Sequence, residues 1–404
     1  MTSLDPFILF GIILALALNF VNGLNDASHS IATVVATKAL SPIRAVFSTA
    51  VCNMIGPFLF STAVAATIGT EIVTTAGLTP LSINVAMLTS IALVFVATRM
   101  GIPVSSSHAL VGGMLGAAIG AVGLSAIILP SSLPGSSSLL QVFFYACIGA
   151  IIGAVVLAII CAAGEGDIRL GILLGAVFGA GIIIPLLMIA GVLHLKGLLG
   201  IILFIFIGPL IGMAGAFLLN VLVTQLIKHA RQNRAKRTFQ PLHVLACLGQ
   251  ATAHGANDGQ HAVGLITALL VSSGFLLVFE VPTWVILASA IAIGLGTCFG
   301  GWKVVDKMAK EITKIRPYQG FCAATASSAI LVMVTRQGIP VSSTQAINGS
   351  IVGVGATRGR TAVQWKVVRE MMTAWVITIP LALALSWIGY QIISFTLTFF
   401  FAPG

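Results

Sequence analysis

From Phe7 the chain runs apolar to Val21, and runs of this kind recur almost to the C-terminus. A bilayer core asks for about 20 apolar residues per helix, and a backbone in lipid must satisfy its own hydrogen bonds, so only helices and closed barrels cross it. Barrel strands would show as short alternating segments; here the apolar residues are continuous, so the spans are helical. Charged residues make up 7% of the 404, and the mean hydropathy is +1.10. A soluble domain carries about 25% charged residues, so a water-facing fold is excluded. The expectation is an all-α, polytopic membrane protein with about 12 hydrophobic segments. The N-terminus lacks the basic head and cleavage site of a signal peptide, so Phe7 opens the first span. Cys52, Cys147, Cys161, Cys247, Cys298 and Cys322 are scattered in apolar surroundings, as small packing residues are.

The chain also repeats itself. Val21–Ser30, VNGLNDASHS, has a near-copy in Ala253–Ala262, AHGANDGQHA, which sets Asn25-Asp26 and Asn257-Asp258 apart by 232. Gly101–Gly116 matches Gly338–Gly353 at an offset of 237, and Val64–Ile72 weakly matches Val304–Ile312 at 240. Matched blocks in one order with drifting offsets indicate two duplicated halves. The expected organisation is a first repeat over 1–138, connecting spans over 139–227, a basic loop over 228–243 and a second repeat over 244–404.

Matched loops carry opposite charge bias. Lys38–Arg44 is basic where Ser272–Glu280 has no Lys or Arg. Thr67–Pro80 has none where its partner holds Lys303, Lys307, Lys310, Lys314 and Arg316. Gly120–Ser138 is uncharged where the partner holds Arg358, Arg360, Lys366 and Arg369. Cytoplasmic loops are enriched in Lys and Arg, so the halves are expected in opposite orientations, with both termini outside and the 228–243 loop in the cytoplasm. The net charge of +10 therefore belongs to loop topology and not to a nucleic-acid partner. The expected layout places three spans at Leu139–Ala163, Arg169–Leu193 and Leu198–Ile227, one at Ala45–Ala66, and a helical hairpin across each serine block. Inverted repeats characterise secondary transporters, whose sites lie at the repeat interface near discontinuous helices.

The Asn-Asp blocks carry one half of the chemistry. Only ten residues are acidic, yet Asp26 and Asp258 occupy equivalent points in apolar runs. A carboxylate at the bilayer centre costs at least about 2.5–3.5 kcal/mol, so each needs a compensating charge. Gly23 and Gly255 are expected to let the backbone unwind, and Asn25, Asp26, Asn257 and Asp258 then offer the oxygens a hard cation such as sodium prefers. Interhelical hydrogen bonding alone is the plainer reading of one such block; the symmetric repetition favours the cation.

The serine blocks carry the other half. In GIPVSSSH and GIPVSSTQ, Pro103 or Pro340 stops one helix and hydroxyls open the next. Free N–H groups and the positive dipole end make a helix start an anion site. Ser105, Ser106, Ser107, Ser342, Ser343 and Thr344 add hydroxyl donors, more than N-capping alone requires. The expected arrangement is two aspartate-based cation pockets flanking one hydroxyl-lined anion pocket. His29 and His261 lie one turn after each Asp, placed to bond the carboxylate, touch the anion or pack behind them. His254 and His261 could share a face as zinc ligands, but the Gly-rich turn between them counts against it. Glu71 and Glu311 match across the halves near loop ends, where a solvated or capping role fits. His108 corresponds to Gln345, so no imidazole is needed there in both halves, which argues against a Ser106–His108 nucleophile and against an enzyme.

HGANDGQHAVG, KEITKIRPYQGF and GIPVSSTQAINGSIVGVG, with NGLND and GIPVSSSHALVGG in the first half, resemble the inorganic phosphate transporter (Pit) family, cation-coupled phosphate symporters. The resemblance spans both halves and leaves out most of Leu139–Pro241. It implies that orthophosphate is carried with sodium, or with protons as in some bacterial members. It carries over Asn25, Asp26, Asn257 and Asp258 for the cation, and Ser105–Ser107 with Ser342–Thr344 for the anion. No cofactor is implied beyond co-transported sodium; a cell-membrane location and a homodimer are what such carriers suggest. The chain departs from the pattern at His29 and His261, where the family usually places Asn or Lys, and in GFCAATASSA, which lacks the acidic residue common after the family's Gly-Phe. A sulfate permease of similar framework and an anion channel are the competing readings. Protonated phosphate can donate a hydrogen bond to a carboxylate and sulfate cannot, so an Asp facing the anion would separate the two; sequence leaves open whether either Asp does.

Overall fold

A computed structural model describes residues 6–102, 104–129, 132–163, 168–300 and 315–401, excepting the side chains at 27–30, 160–161, 163, 170–171, 174 and 360. Pro103, the Lys303–Lys314 loop with Glu311, and the side chain of His29 thus lie outside the described residues. Among the described residues there is no strand, only an isolated bridge between Val73 and Ile127. The chain is an all-α polytopic membrane protein: eight of its described helices are long and apolar enough to cross a bilayer.

The first half contains α1 (Pro6–Ala36), α2 (Pro42–Leu59), α3 (Ala63–Thr70), α4 (Pro80–Met100) and α5 (Ser106–Val122). Then come α6 (Leu139–Ala163), α7 (Ile168–Ile189) and α8 (Gly197–Ile227), close to the three expected spans. The second half contains α9 (Gln232–Asp258), α10 (Gln260–Ser272), α11 (Thr283–Phe299), α12 (Pro317–Arg336), α13 (Ser343–Ala356) and α14 (Trp365–Phe401).

Two expectations change. The Ala45–Ala66 span is two helices: α2 stops at Leu59, and α3 restarts at Ala63 because the Gln260 amide accepts from Ala65 N (3.1 Å) and donates to Ser61 O (3.0 Å). A buried amide thus satisfies the backbone groups that a helix end leaves open. The backbone also does not unwind at Gly23 or Gly255. α1 is helical throughout Pro6–Ala36 and α9 throughout Gln232–Asp258, with the junction to α10 at Gly259 still right-handed.

The two glycines serve close approach instead. A Cβ on Gly23 would strike Ile293 O of α11, and one on Gly255 would strike Asn53 O of α2. Likewise Gly56 faces the α9 backbone at Thr252 and Ala256, and Gly296 faces Phe20 of α1. Small residues that let backbones touch are the usual device for packing helices in lipid, where no hydrophobic drive between helices exists. Each Asp-bearing helix is therefore clamped by a helix of the other half.

The hairpins α4–α5 and α12–α13 turn alike. Gly101 and Gly338 both adopt φ 72, a left-handed conformation that favours glycine. Ile102 N then reaches back to Ala97 O (2.9 Å), and Ile339 N to Val334 O (3.0 Å). α5 packs on α14 through Gly112 and Gly116, and α13 packs on α8 through Gly349 and Gly353. The helix behind each half-length helix again comes from elsewhere in the chain.

Gly255→Ala is expected to force α2 from α9 and cost about 1–3 kcal/mol, the usual scale of overpacking. Gly249→Ala, in the same helix with nothing within 4 Å of its Cβ, is expected to be neutral or slightly stabilising. Thermal unfolding midpoints of the two purified variants check the contrast.

Candidate functional site

Asp26 lies mid-way along α1 and Asp258 closes α9; they are 2% and 0% exposed. Both carboxylates converge on one imidazole. His254 Nε2 is 3.4 Å from Asp26 Oδ2 and 3.3 Å from Asp258 Oδ2. His254 stands one turn before Asp258, so the two share a helix face, while Asp26 arrives from the other half. The expected pair of separate cation pockets is one shared cluster, because α1 and α9 pack against each other at this level.

The far side of the ring shows what this cluster needs. His254 Nδ1 is 3.0 Å from Asn53 Oδ1, and Asn53 Nδ2 donates to Thr297 Oγ1 at 2.8 Å. The asparagine oxygen only accepts, so Nδ1 carries a hydrogen. A neutral ring would then turn a lone pair toward two carboxylates. Two carboxylate charges within 4.8 Å of each other repel by at least roughly 3.5 kcal/mol at an effective dielectric near 20. The position calls for positive charge, whether an imidazolium proton or a metal cation. Asp258 Oδ1, buried without a hydrogen-bond partner, is a further oxygen with a vacancy for a cation or a donor.

The asparagines hold the hairpins to this cluster, in matching ways. Thr98 donates to Asn25 Oδ1 at 2.9 Å, and Asn25 Nδ2 donates to Asp26 Oδ1 (2.8 Å) and Val104 O (3.3 Å). Asn257 Nδ2 donates to Thr335 Oγ1 (2.9 Å) and Ile339 O (3.1 Å), while Val341 N donates to Asn257 Oδ1 (3.2 Å). Thr98 and Thr335, like Val104 and Val341, are 237 apart, the offset of the serine blocks. Asn25 and Asn257 thus bind the hairpin turns, and Asn25 also bonds the Asp26 carboxylate.

All six hydroxyls are engaged. Ser105 caps α5 by accepting from His108 N (3.2 Å), and Ser342 caps α13 by accepting from Gln345 N (3.4 Å). Ser106 Oγ lies 3.1 Å from Asp26 Oδ2 and 2.7 Å from Asn22 Oδ1; Ser343 donates to Asp258 Oδ2 at 3.3 Å. Two bonds cross between the halves: Thr344 to Asp26 Oδ1 (3.2 Å) and Ser107 to Val341 O (3.4 Å). The starts of α5 and α13 therefore meet beside the aspartates. The arrangement offers buried carboxylates for cations, and helix-start N–H groups with hydroxyls for an oxyanion.

His261 is buried in α10 with Nε2 unpartnered, outside the donor group formed by Asp26, His254 and Asp258. The side chain of His29 lies outside the described residues. Spacing along the chain offers His254 only a zinc-ligand pairing with His261, and gives Asn22, Asn53, Thr98 and Thr335 no role. A signal existed: His254 and Asn22 are 232 apart, the offset of the two Asn-Asp blocks, and both are polar within apolar surroundings.

Against known proteins, residues 22–165 and 171–386 match the phosphate transporter family. A probable low-affinity inorganic phosphate transporter of Rhizobium meliloti (strain 1021) is 35% identical over 386 residues, covering 95% of this chain and 96% of that one. A protein of the same description from Bacillus subtilis (strain 168) is 32% identical over the same shares. Among solved structures, one titled "The sodium-dependent phosphate transporter" superposes with a TM-score of 0.68 at 21% identity, covering 97% of this chain and 100% of that one, a likeness of fold.

Asn257→Leu is expected to release the Gly338–Ser342 turn, leaving Val341 N and Ile339 O unpaired at a cost of about 1–3 kcal/mol for each buried group. Limited proteolysis in detergent should cut this turn faster than in the unsubstituted protein. An unchanged cleavage rate would show that the asparagine does not hold it.

Proposed function

We propose, for a chain that belongs to the phosphate transporter family, that it carries inorganic phosphate across the cell membrane together with sodium, by alternating exposure of the Asp26–Asp258 cluster. Phosphate transport is the activity named in its relatives, and non-enzymatic carriage accords with hydroxyls committed to caps and carboxylates. The observation that carries the reading is the convergence of Asp26 and Asp258, one from each half, on two hydroxyl-bearing helix starts.

The geometry supports an order of binding. Without cations the carboxylates are held by Ser106, Ser343, Thr344 and His254. An anion entering then would meet two carboxylates in a site closed to water, which is prohibitive. Sodium ions at the carboxylate oxygens neutralise them and release the hydroxyls. Those hydroxyls, with the first N–H groups of α5 and α13, then accept the phosphate oxygens. Asp258 Oδ1, lacking a partner, can accept a hydrogen bond from the P–OH that hydrogen phosphate keeps and sulfate lacks, which favours phosphate over the sulfate reading. Loaded, the site is near neutral and the halves can move.

Matched Asn25 and Asn257 bonds and the swapped clamps around α1 and α9 support inverted repeats as the moving units. The expected 228–243 loop is largely the start of α9, which begins at Gln232; with the basic Lys228–Arg237 segment in the cytoplasm, both termini lie outside. Protons are the alternative coupling ion, and a homodimer is the assembly we propose.

Uptake of radiolabelled phosphate into proteoliposomes, under separately imposed sodium and pH gradients, tests this. Asp26→Asn and Asp258→Asn should abolish sodium-driven uptake in folded protein; undiminished uptake in both would refute the assignment. Ser106→Ala and Ser343→Ala should raise the KM for phosphate with sodium dependence kept. Counterflow of labelled phosphate should occur, as it does in a carrier and not in a pore, and sulfate should not compete.

A further inference from the structure

Beyond the cluster, α1 and α9 remain polar along a shared seam. On α9, His243, Cys247, Gln250, His254 and Asp258 recur at steps of four and three, so they share one face. All are buried. α1 presents Asn19, Asn22, Asp26 and Thr33 in the same manner, with Thr37 in the turn just past its end, all buried as well. The helices run antiparallel, and cross-contacts trace the seam from end to end. Asn19 donates to Gly259 O (3.0 Å), Asp26 meets His254, Thr33 meets Cys247 Sγ (3.3 Å), and Thr37 meets His243. An interior seam that only packed helices could be apolar; ionisable and amide groups inside a membrane protein mark pathways.

The far end of the seam is latched. His243 uses both ring nitrogens, Nδ1 at 3.2 Å from Thr37 Oγ1 and Nε2 at 3.1 Å from Thr33 Oγ1. The ring lies against Gly320 of α12, where a Cβ would strike it. Just beyond, Gln240 Nε2 donates to Lys38 O (3.1 Å), and Phe239 stacks edgewise with Tyr318 and Phe321. Outside these lie Lys228, Arg231, Arg234, Lys236 and Arg237. Between latch and cluster sits Gln250, one turn from His254, with neither amide atom hydrogen-bonded. A buried amide without partners is costly, and water or a passing oxyanion would satisfy it.

We propose that phosphate passes between the cluster and the basic-loop face along the α1–α9 seam, and that the contact of His243 with Thr33 and Thr37 is the gate that closes this route. The inference rests on the transport reading above. His243 is a positioning residue here: it holds two helices together and touches no substrate in the closed state. The basic loop outside supplies an anion-attracting mouth.

Cys247 sits on the seam between gate and cluster and reports directly on opening. A protein keeping only this cysteine, the other five replaced by alanine, is placed in vesicles with a negatively charged methanethiosulfonate added on the basic-loop side. Modification should be slow with the gate intact. It should speed up about tenfold in His243→Ala, the scale on which losing two neutral hydrogen bonds shifts a two-state equilibrium. Thr37→Val, nearly isosteric and milder for folding, should act in the same direction. Unchanged rates in both variants, or equal labelling from both sides by an uncharged maleimide alone, would overturn the route. Labelled phosphate uptake is measured on the same vesicles. Uptake without labelling sinks the gate and leaves the transport reading standing; labelling without uptake does the reverse.

Discussion

Two carboxylates held within hydrogen-bonding reach of one imidazole, in a chain surrounded by lipid, set the terms for everything around them. Water is excluded there and like charges repel, so the surrounding groups have to supply the compensating contacts. Each neighbour answers some part of that demand. Asn25, Ser106, Ser343 and Thr344 contribute hydrogen bonds to carboxylate oxygens, and His254 lies between the two acids with its back fixed by Asn53. The glycine contacts follow from the same need. α11 and α2 approach α1 and α9 at backbone distance, and so help fix where the two acids stand.

Recurring sequence blocks carry a recurring geometry. One solution, an asparagine that grips a hairpin turn and places a hydroxyl-bearing helix start beside an acid, occurs in both halves with matched partners. Meeting face to face, the copies make one site from two half-sites. The symmetry fails where the site most needs to differ: position 22 is asparagine and its counterpart at 254 is histidine. Asn22 accepts from Ser106 of the adjoining helix start, whereas His254 reaches the acids of both halves. The asymmetric residue is thus the one that joins the copies.

A carrier must hold its ligands without holding them permanently, and the bonds here are suited to that. The hydroxyl–carboxylate contacts of Ser106, Ser343 and Thr344 fall between 3.1 and 3.3 Å, longer than the shortest charge-assisted bonds. On the proposed reading they are exchanged for cation and anion contacts at modest net cost. The surrounding apolar clusters and lipid-facing Leu, Ile and Phe side chains keep the polar exchange confined to the interior.

The amino-acid order alone determined the membrane class and the recurrence of the polar blocks, because those depend on local apolar runs and recurring residues. Asp26, Asp258 and the serine blocks stood out as charge and hydroxyl placed where lipid forbids them. What tertiary structure decided was which groups meet. That Gly23 and Gly255 serve close packing and not unwinding depends on α11 and α2, more than 200 residues away in each case. That one cluster replaces two pockets depends on α1 crossing α9 at Asp26 and His254. A histidine seven residues from another has no role that spacing can assign; only the arrival of a carboxylate from the opposite half gives His254 its place, since electrostatic contact is set by distance in space and not along the chain.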